Sequence, residues 1–97
     1  MKKLLDNPHP GIILKEEFLK ELDMSQNQLA IAIGVPPNRI HAIIKGTRSI
    51  TADTDLRLCR YFGLSEGYWL RLQNQFDLME AKRKQNNYEM IEPMALR

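Results

Sequence analysis

The sequence predicts an all-α fold of five helices followed by an irregular tail. Apolar residues recur at three- and four-residue intervals, glycines and prolines separate these patterns into short segments, and no segment before the tail alternates like a strand. With 97 residues, 43% hydrophobic and 27% charged, the chain has room for one packed core and is not a disordered polyelectrolyte. The pattern places a helical domain at residues 1–84 and a flexible or extended tail at 85–97.

Each helix carries its own start and stop. Asn7-Pro8-His9-Pro10-Gly11 forms an extended lead-in, and Pro10 suits a first helical turn, where a missing N–H costs nothing. Leu14, Phe18 and Leu22 then repeat every four residues among Lys15, Glu16, Glu17, Lys20 and Glu21, which describes an amphipathic first helix. Ser25 caps a second helix at about 26–33, with Gln28 completing a capping box and Gly34 ending it. Pro36 and Pro37 forbid helix before them and favour a new start, so a third helix runs over about 37–45 to Gly46. Thr51 caps a fourth helix holding Leu56, Leu58, Cys59 and Phe62, closed by Gly63. Ser65 caps a fifth, about 66–84. Residues 85–97 include Asn87 and Pro93 and show no helical periodicity.

Lys and Arg number 14 against 12 Asp and Glu, a net charge of +2, which neither demands nor excludes a polyanionic partner. The distribution says more. Residues 36–60 carry Arg39, Lys45, Arg48, Arg57 and Arg60 against Asp53 and Asp55, which points to the middle of the chain as the face for phosphate, the alternative being scattered solvated residues. No apolar run is long enough to cross a bilayer, and Met1-Lys2-Lys3-Leu4-Leu5-Asp6 has no apolar stretch behind its lysines, so no secretion signal and no membrane partner are expected. A single cysteine, Cys59, excludes an internal disulfide and a cysteine-cluster metal site, and the chain reads as cytoplasmic.

Enzyme chemistry finds no foothold. His9 and His41 lie far apart in sequence without carboxylates at ligand spacing, and neither a Gly-rich phosphate loop nor an HExxH motif is present. Asp53 and Asp55 are accounted for by the positive start of the fourth helix, and Cys59, between Leu58 and Phe62, reads as a small core hydrophobe. No catalytic residue, metal ligand or cofactor is expected.

The second and third helices are joined by a very short turn, and their spacing is that of a helix-turn-helix. Leu29, Ala30, Ile33, Val35, Ile40 and Ile43 point inward, while Gln26, Gln28, Asn38, Arg39, His41 and Lys45 point out. Ala30 is small enough for two helices to cross closely, and Gly34 supplies a turn whose positive φ a side chain disfavours. Ile40 and Ile43 anchor the third helix from beneath and leave its leading half open to a major groove. Asn38 and Arg39, in the first turn, are the base-reading candidates, because Arg pairs bidentately with guanine and Asn with adenine. Ala42, one turn on, would touch only a thymine methyl. Gln26, Lys45, Thr47 and Arg48 are candidates for the DNA backbone, with His41 a surface histidine beside them.

Ser25 to Gly46, SQNQLAIAIGVPPNRIHAIIKG, resembles the helix-turn-helix of the Xre/Cro-type phage-repressor superfamily. More narrowly, HPGIILKEEFLKELDMS at 9–25, ITADTDLRLCRYFG at 50–63 and YWLRLQNQFDL at 68–78 resemble the HigA-type antitoxins, also called virulence-associated protein I. The resemblance covers about residues 8–80. It implies a phage-repressor-like domain in a homodimeric repressor that binds a palindrome at its own operon and neutralises a small ribosome-dependent mRNA endonuclease encoded beside it. Pro37 stands where superfamily members often carry a polar base reader, and Ala42 is shorter than the Gln or Ser often found there, so no operator sequence is carried over.

In the fifth helix Trp69, Leu72, Phe76 and Met79 form one continuous stripe, widened by Tyr68, Leu70 and Leu78. One face of this helix is expected to join the core and the other to meet a second copy, with Trp69, Leu72, Phe76 and Met79 the candidates for that contact, since a palindromic operator needs two recognition helices about 34 Å apart. The alternative is that the helix simply closes a monomer core. Lys82-Arg83-Lys84 reads as a solvated run favoured by the helix C-terminus, and Tyr88, Met90 and Ile91 are the tail's apolar handles. Two other readings stay open at this stage: a stand-alone repressor without a toxin, and a helical adaptor that binds only protein.

Overall fold

In the computed structural model, which describes residues 7–85 and 87–95, five helices pack around one core. The Met1–Asp6 start, read above for secretion signals, lies outside the described residues, as do Asn86 and the last two positions. Helix α1 spans 10–22 in three stretches: α-helical at Pro10–Ile13, π-helical at Leu14–Leu19 and α-helical at Lys20–Leu22. His9 caps its start, Nδ1 accepting from the Gly11 N–H at 2.9 Å. The lead-in is therefore not merely extended chain. Gly11 lies against the helix at Pro37–Lys45, and a Cβ there would fall well inside contact distance of the Ile43 carbonyl oxygen. Only hydrogen fits.

The π-helical stretch corrects the expected apolar stripe. A π turn pairs residues five apart, so Leu19, not Leu22, lies below Leu14. Leu14 and Leu19 are buried, Phe18 is half-buried, and Leu22 is turned to solvent at 55% exposure. Asp23, in the left-handed region at φ 53°, ends the helix.

Helix α2 is Gln26–Ile33. Its capping box is complete, with Ser25 Oγ accepting from the Gln28 N–H at 3.0 Å and Gln28 Oε1 from the Ser25 N–H at 2.8 Å. Gly34, at φ 74°, turns the chain toward α3, Pro37–Lys45. Helix α4 is Ala52–Phe62, and Thr51, expected to cap it, makes no side-chain cap hydrogen bond. Helix α5 is Tyr68–Lys84. Its expected cap, Ser65, is also corrected. Asp55 of α4, only 1% exposed, reaches across and accepts from the N–H groups of Gly67 (2.7 Å), Trp69 (2.8 Å) and Leu70 (3.1 Å). Asp55 thus serves the next helix, whereas the sequence had assigned it to the start of its own.

The core consists of Leu14, Leu19, Leu29, Ala30, Ile33, Val35, Ile40, Ile43, Ile50, Leu58, Cys59 and Trp69. Phe18 ties α1 to it through ring contacts to Phe62 at 4.8 Å and Trp69 at 5.0 Å. Gln73, buried on α5, accepts from the Ile50 N–H at 2.8 Å and so fixes the chain leading into α4. Beyond α5 a single 3₁₀ turn, Tyr88–Met90, interrupts the irregular tail. Among the described residues no helix is long and apolar enough to cross a membrane.

Candidate nucleic-acid interface

The sequence of α2 and α3 builds a platform with one dry side and one wet side. Leu29, Ala30, Ile33, Ile40 and Ile43 are all buried, so both helices are held from beneath. Side chains offset by about half a helical turn then face outward. Asn38 lies exposed in the first turn of α3, with half-buried Ala42 one turn later. Gln26, at the first position of α2, is half-buried, and Lys45 and Arg48 are exposed at the far end of α3 and just beyond it. Asn38, Lys45 and Arg48 are thus exposed, with Gln26 and Ala42 half-buried, along the helix pair and just beyond it.

Arg39 behaves differently. Its Nη1 donates to Asp53 Oδ2 at 2.7 Å, its Nε is enclosed without a partner, and only 23% of its side chain is exposed. The same Oδ2 accepts from Arg57 Nε at 3.0 Å. Arg57 Nη1 in turn donates to the carbonyl oxygen of Ile33 at 2.8 Å. A chain of polar contacts therefore runs from the end of α2, through α4, to the leading turn of α3. Hydrogen bonds from Arg39 and then Arg57 hold the Asp53 carboxyl below the usual carboxylate range, so it stays ionised. Asp53 was not a site candidate from sequence, and Arg57 entered only as one of the basic residues of the 36–60 stretch. The i,i+4 spacing of Asp53 and Arg57 was a visible signal, whereas Arg39 lies 14 residues from Asp53 and no local pattern links them.

Two further contacts shape the face. His41 Nε2 lies 3.0 Å from Asn27 Oδ1, joining the outer sides of α3 and α2. Thr47 donates its hydroxyl to the Ala42 carbonyl oxygen at 3.2 Å, so the group expected to clamp phosphate is also closing α3.

The stripe expected to meet a second copy is largely covered by its own chain. Trp69 has no exposed surface and packs through tilted and edge-on ring contacts among Phe18, Phe62 and Tyr68, which makes it a core residue of this chain. Leu72 packs against the core, and Phe76 lies edge-on to the His9 ring at 4.9 Å. Met79 is half-buried. The apolar residue that α5 turns to solvent is Leu78, at 61% exposure, half a helical revolution from Trp69.

Two short helices crossing over small and branched residues, with the second presented from its leading end, define a helix-turn-helix protein. The chain belongs to the helix-turn-helix family, whose pattern matches residues 15–69. Within that family it belongs to the Xre-type branch that includes the HigA antitoxins and virulence-associated protein I. It is 45% identical over 87 residues to Virulence-associated protein I of Dichelobacter nodosus, covering 90% of this chain and 81% of the relative. Its fold matches the Pseudomonas aeruginosa antitoxin HigA, solved with the higBA promoter, at a TM-score of 0.86 and 37% identity, over 93% of this chain and all of the other. It also matches an addiction module antidote protein of the HigA family from Coxiella burnetii at 0.85 and 42% identity, covering 93% of this chain and 100% of that one.

Proposed function

We propose that this chain is a sequence-specific DNA-binding antitoxin that represses its own operon as a homodimer and neutralises a small ribosome-dependent mRNA endonuclease. The observation that carries the DNA half is the open leading turn of α3, seated on buried Ile40 and Ile43 in a fold shared with an antitoxin solved with promoter DNA. In this reading Asn38 and Arg39 meet base edges, Ala42 lies against a thymine methyl, and Gln26, Lys45, Thr47 and Arg48 hold the phosphates. A two-fold dimer places two such helices on successive major-groove faces of a palindrome. The exposed Leu78 side of α5 is the surface offered to the second copy. The toxin half rests on the likeness to antitoxins alone.

The test has two parts. In titrations against the duplex upstream of the chain's own gene, Arg39→Ala loses ~1–3 kcal/mol on the cognate site only, whereas Arg48→Ala weakens cognate and random duplex alike. Equal losses on both duplexes for both variants would remove the division of labour. Co-purification with the product of the adjacent gene then separates an antitoxin from a lone repressor: a stable complex supports the toxin partner, and its absence leaves only the repressor.

A further inference from the structure

We infer that Asp53 is a specificity-positioning residue, a carboxylate on α4 that holds the Arg39 guanidinium in one orientation above the DNA face. The inference deepens the reading of Arg39 as a base reader and rests on it.

A long arginine side chain has several rotamers of similar energy, and bidentate recognition of a guanine edge needs one of them. Left alone on a surface, Arg39 would sample them and lose entropy on binding. In this structure it does not stand alone. Asp53 Oδ2 holds Nη1 at 2.7 Å, and Nε is shut off from water by the surrounding chain.

A carboxylate near an arginine can also act in the opposite way, by withholding it from the ligand. Two observations separate these roles. First, Oδ2 is shared with Arg57 Nε at 3.0 Å, so Asp53 is not an exclusive partner that DNA must outcompete. Second, Arg57 is itself fastened to backbone, donating to the Ile33 carbonyl at 2.8 Å, so Asp53 is held from behind and cannot follow Arg39 as a mobile counter-ion would. The contact also bears little of the fold: Asp53 is 56% exposed in its side chain, and exposed ion pairs contribute little to stability. Its consequence is therefore orientation. The arrangement is a supporting shell, in which a group that touches no ligand fixes one that does.

The measurement is a titration of the full chain against three duplexes of equal length: the footprinted upstream site, that site with its guanine pairs replaced one at a time, and a random sequence. Asp53→Asn, which keeps the shape and removes the charge, is expected to lower the preference at the position read by Arg39 about tenfold. Affinity for the random duplex should hold or rise, because a negative charge near phosphate has gone. The thermal midpoint should stay within a few degrees of wild type, a readout that a merely structural role would move. Asp53→Glu, retaining the charge at a longer reach, should restore part of the preference. Arg39→Ala combined with Asp53→Asn should lose no more than Arg39→Ala alone, since the two act through one contact.

If Asp53→Asn keeps full preference at that position while Arg39→Ala loses it, the positioning role is refuted and the base-reading role stands. If Asp53→Asn binds the cognate site more tightly with preference intact, Asp53 withholds Arg39 and the inference is overturned. If Arg39→Ala keeps every preference, the base-reading assignment itself fails and the inference falls with it.

Discussion

Asp55 has three backbone N–H groups on its two oxygens and almost no exposure to water. An alanine there leaves these donors buried and unpaired at the leading turn of α5, where the helix dipole already favours a negative group. Asp55→Ala is expected to lower the unfolding free energy by about 3 kcal/mol in urea titration, and Asp55→Asn, which keeps one acceptor oxygen, by less. Its sequence position at the start of α4 hides this role, because the donors it serves lie 12 to 15 residues further on. His9 makes a second residue-level prediction. Burial lowers its pKa, with Asp77 opposing more weakly, so the folded chain favours the neutral ring that accepts from Gly11. The unfolded chain takes up a proton first as pH falls through the ordinary histidine range, so this contribution is complete above that range and is lost on acidification. His9→Asn, a cap that does not titrate, should flatten the decline in stability over that interval. A histidine between two prolines gives no sequence sign of being a cap.

At the scale of elements, the packing of α1 on α3 depends on a missing side chain. Because a Cβ at residue 11 would collide with the Ile43 backbone, Gly11→Ala must push the helices apart. A loss of about 1–3 kcal/mol is expected, read as a lower thermal midpoint with helix content retained at low temperature. The glycine was visible in the sequence, yet the reason for it was not, since the collision is with a helix more than thirty residues away. The π-helical stretch teaches the same lesson. Counting by fours from Leu14 reaches Phe18 and Leu22, but the observed pairing by fives buries Leu19. The change of helical pitch turns Leu19 inward and leaves Leu22 in solvent. By contrast, Gln26–Ile33 and Pro37–Lys45 were legible residue by residue, because a capping box, a proline pair and two closing glycines act within one turn of where they stand.

At the scale of the whole molecule, DNA binding is an electrostatic event counted in copies. Lys45 and Arg48 from each of two protomers would neutralise about four phosphates, so the logarithm of the binding constant should fall against the logarithm of salt with a slope of about −4. Arg48→Ala should reduce that slope by about 2, because a dimer loses two contacts, and a reduction by about 1 would indicate a monomer on the duplex. Leu78→Glu places a charge on the apolar residue that α5 exposes, and light scattering should then report a monomer that binds an isolated half-site more weakly than wild type binds the palindrome. The stripe Trp69, Leu72, Phe76 and Met79 was legible as apolar, but not which way it faced. Periodicity gives a direction around a helix axis, and only packing decides whether that direction points to the chain's own core.

The amino-acid order alone determined the all-helical class, the paired helices at the centre and the family, because these rest on caps, breakers and apolar intervals that operate over a few neighbouring residues. The folded molecule alone decided that Arg39 is hydrogen-bonded to Asp53, that Asp55 serves α5 and that Trp69 is interior. The physical reason is reach. Hydrogen bonds and steric contacts act over a few ångströms, and residues 12 to 24 positions apart come within that distance only after the chain has folded.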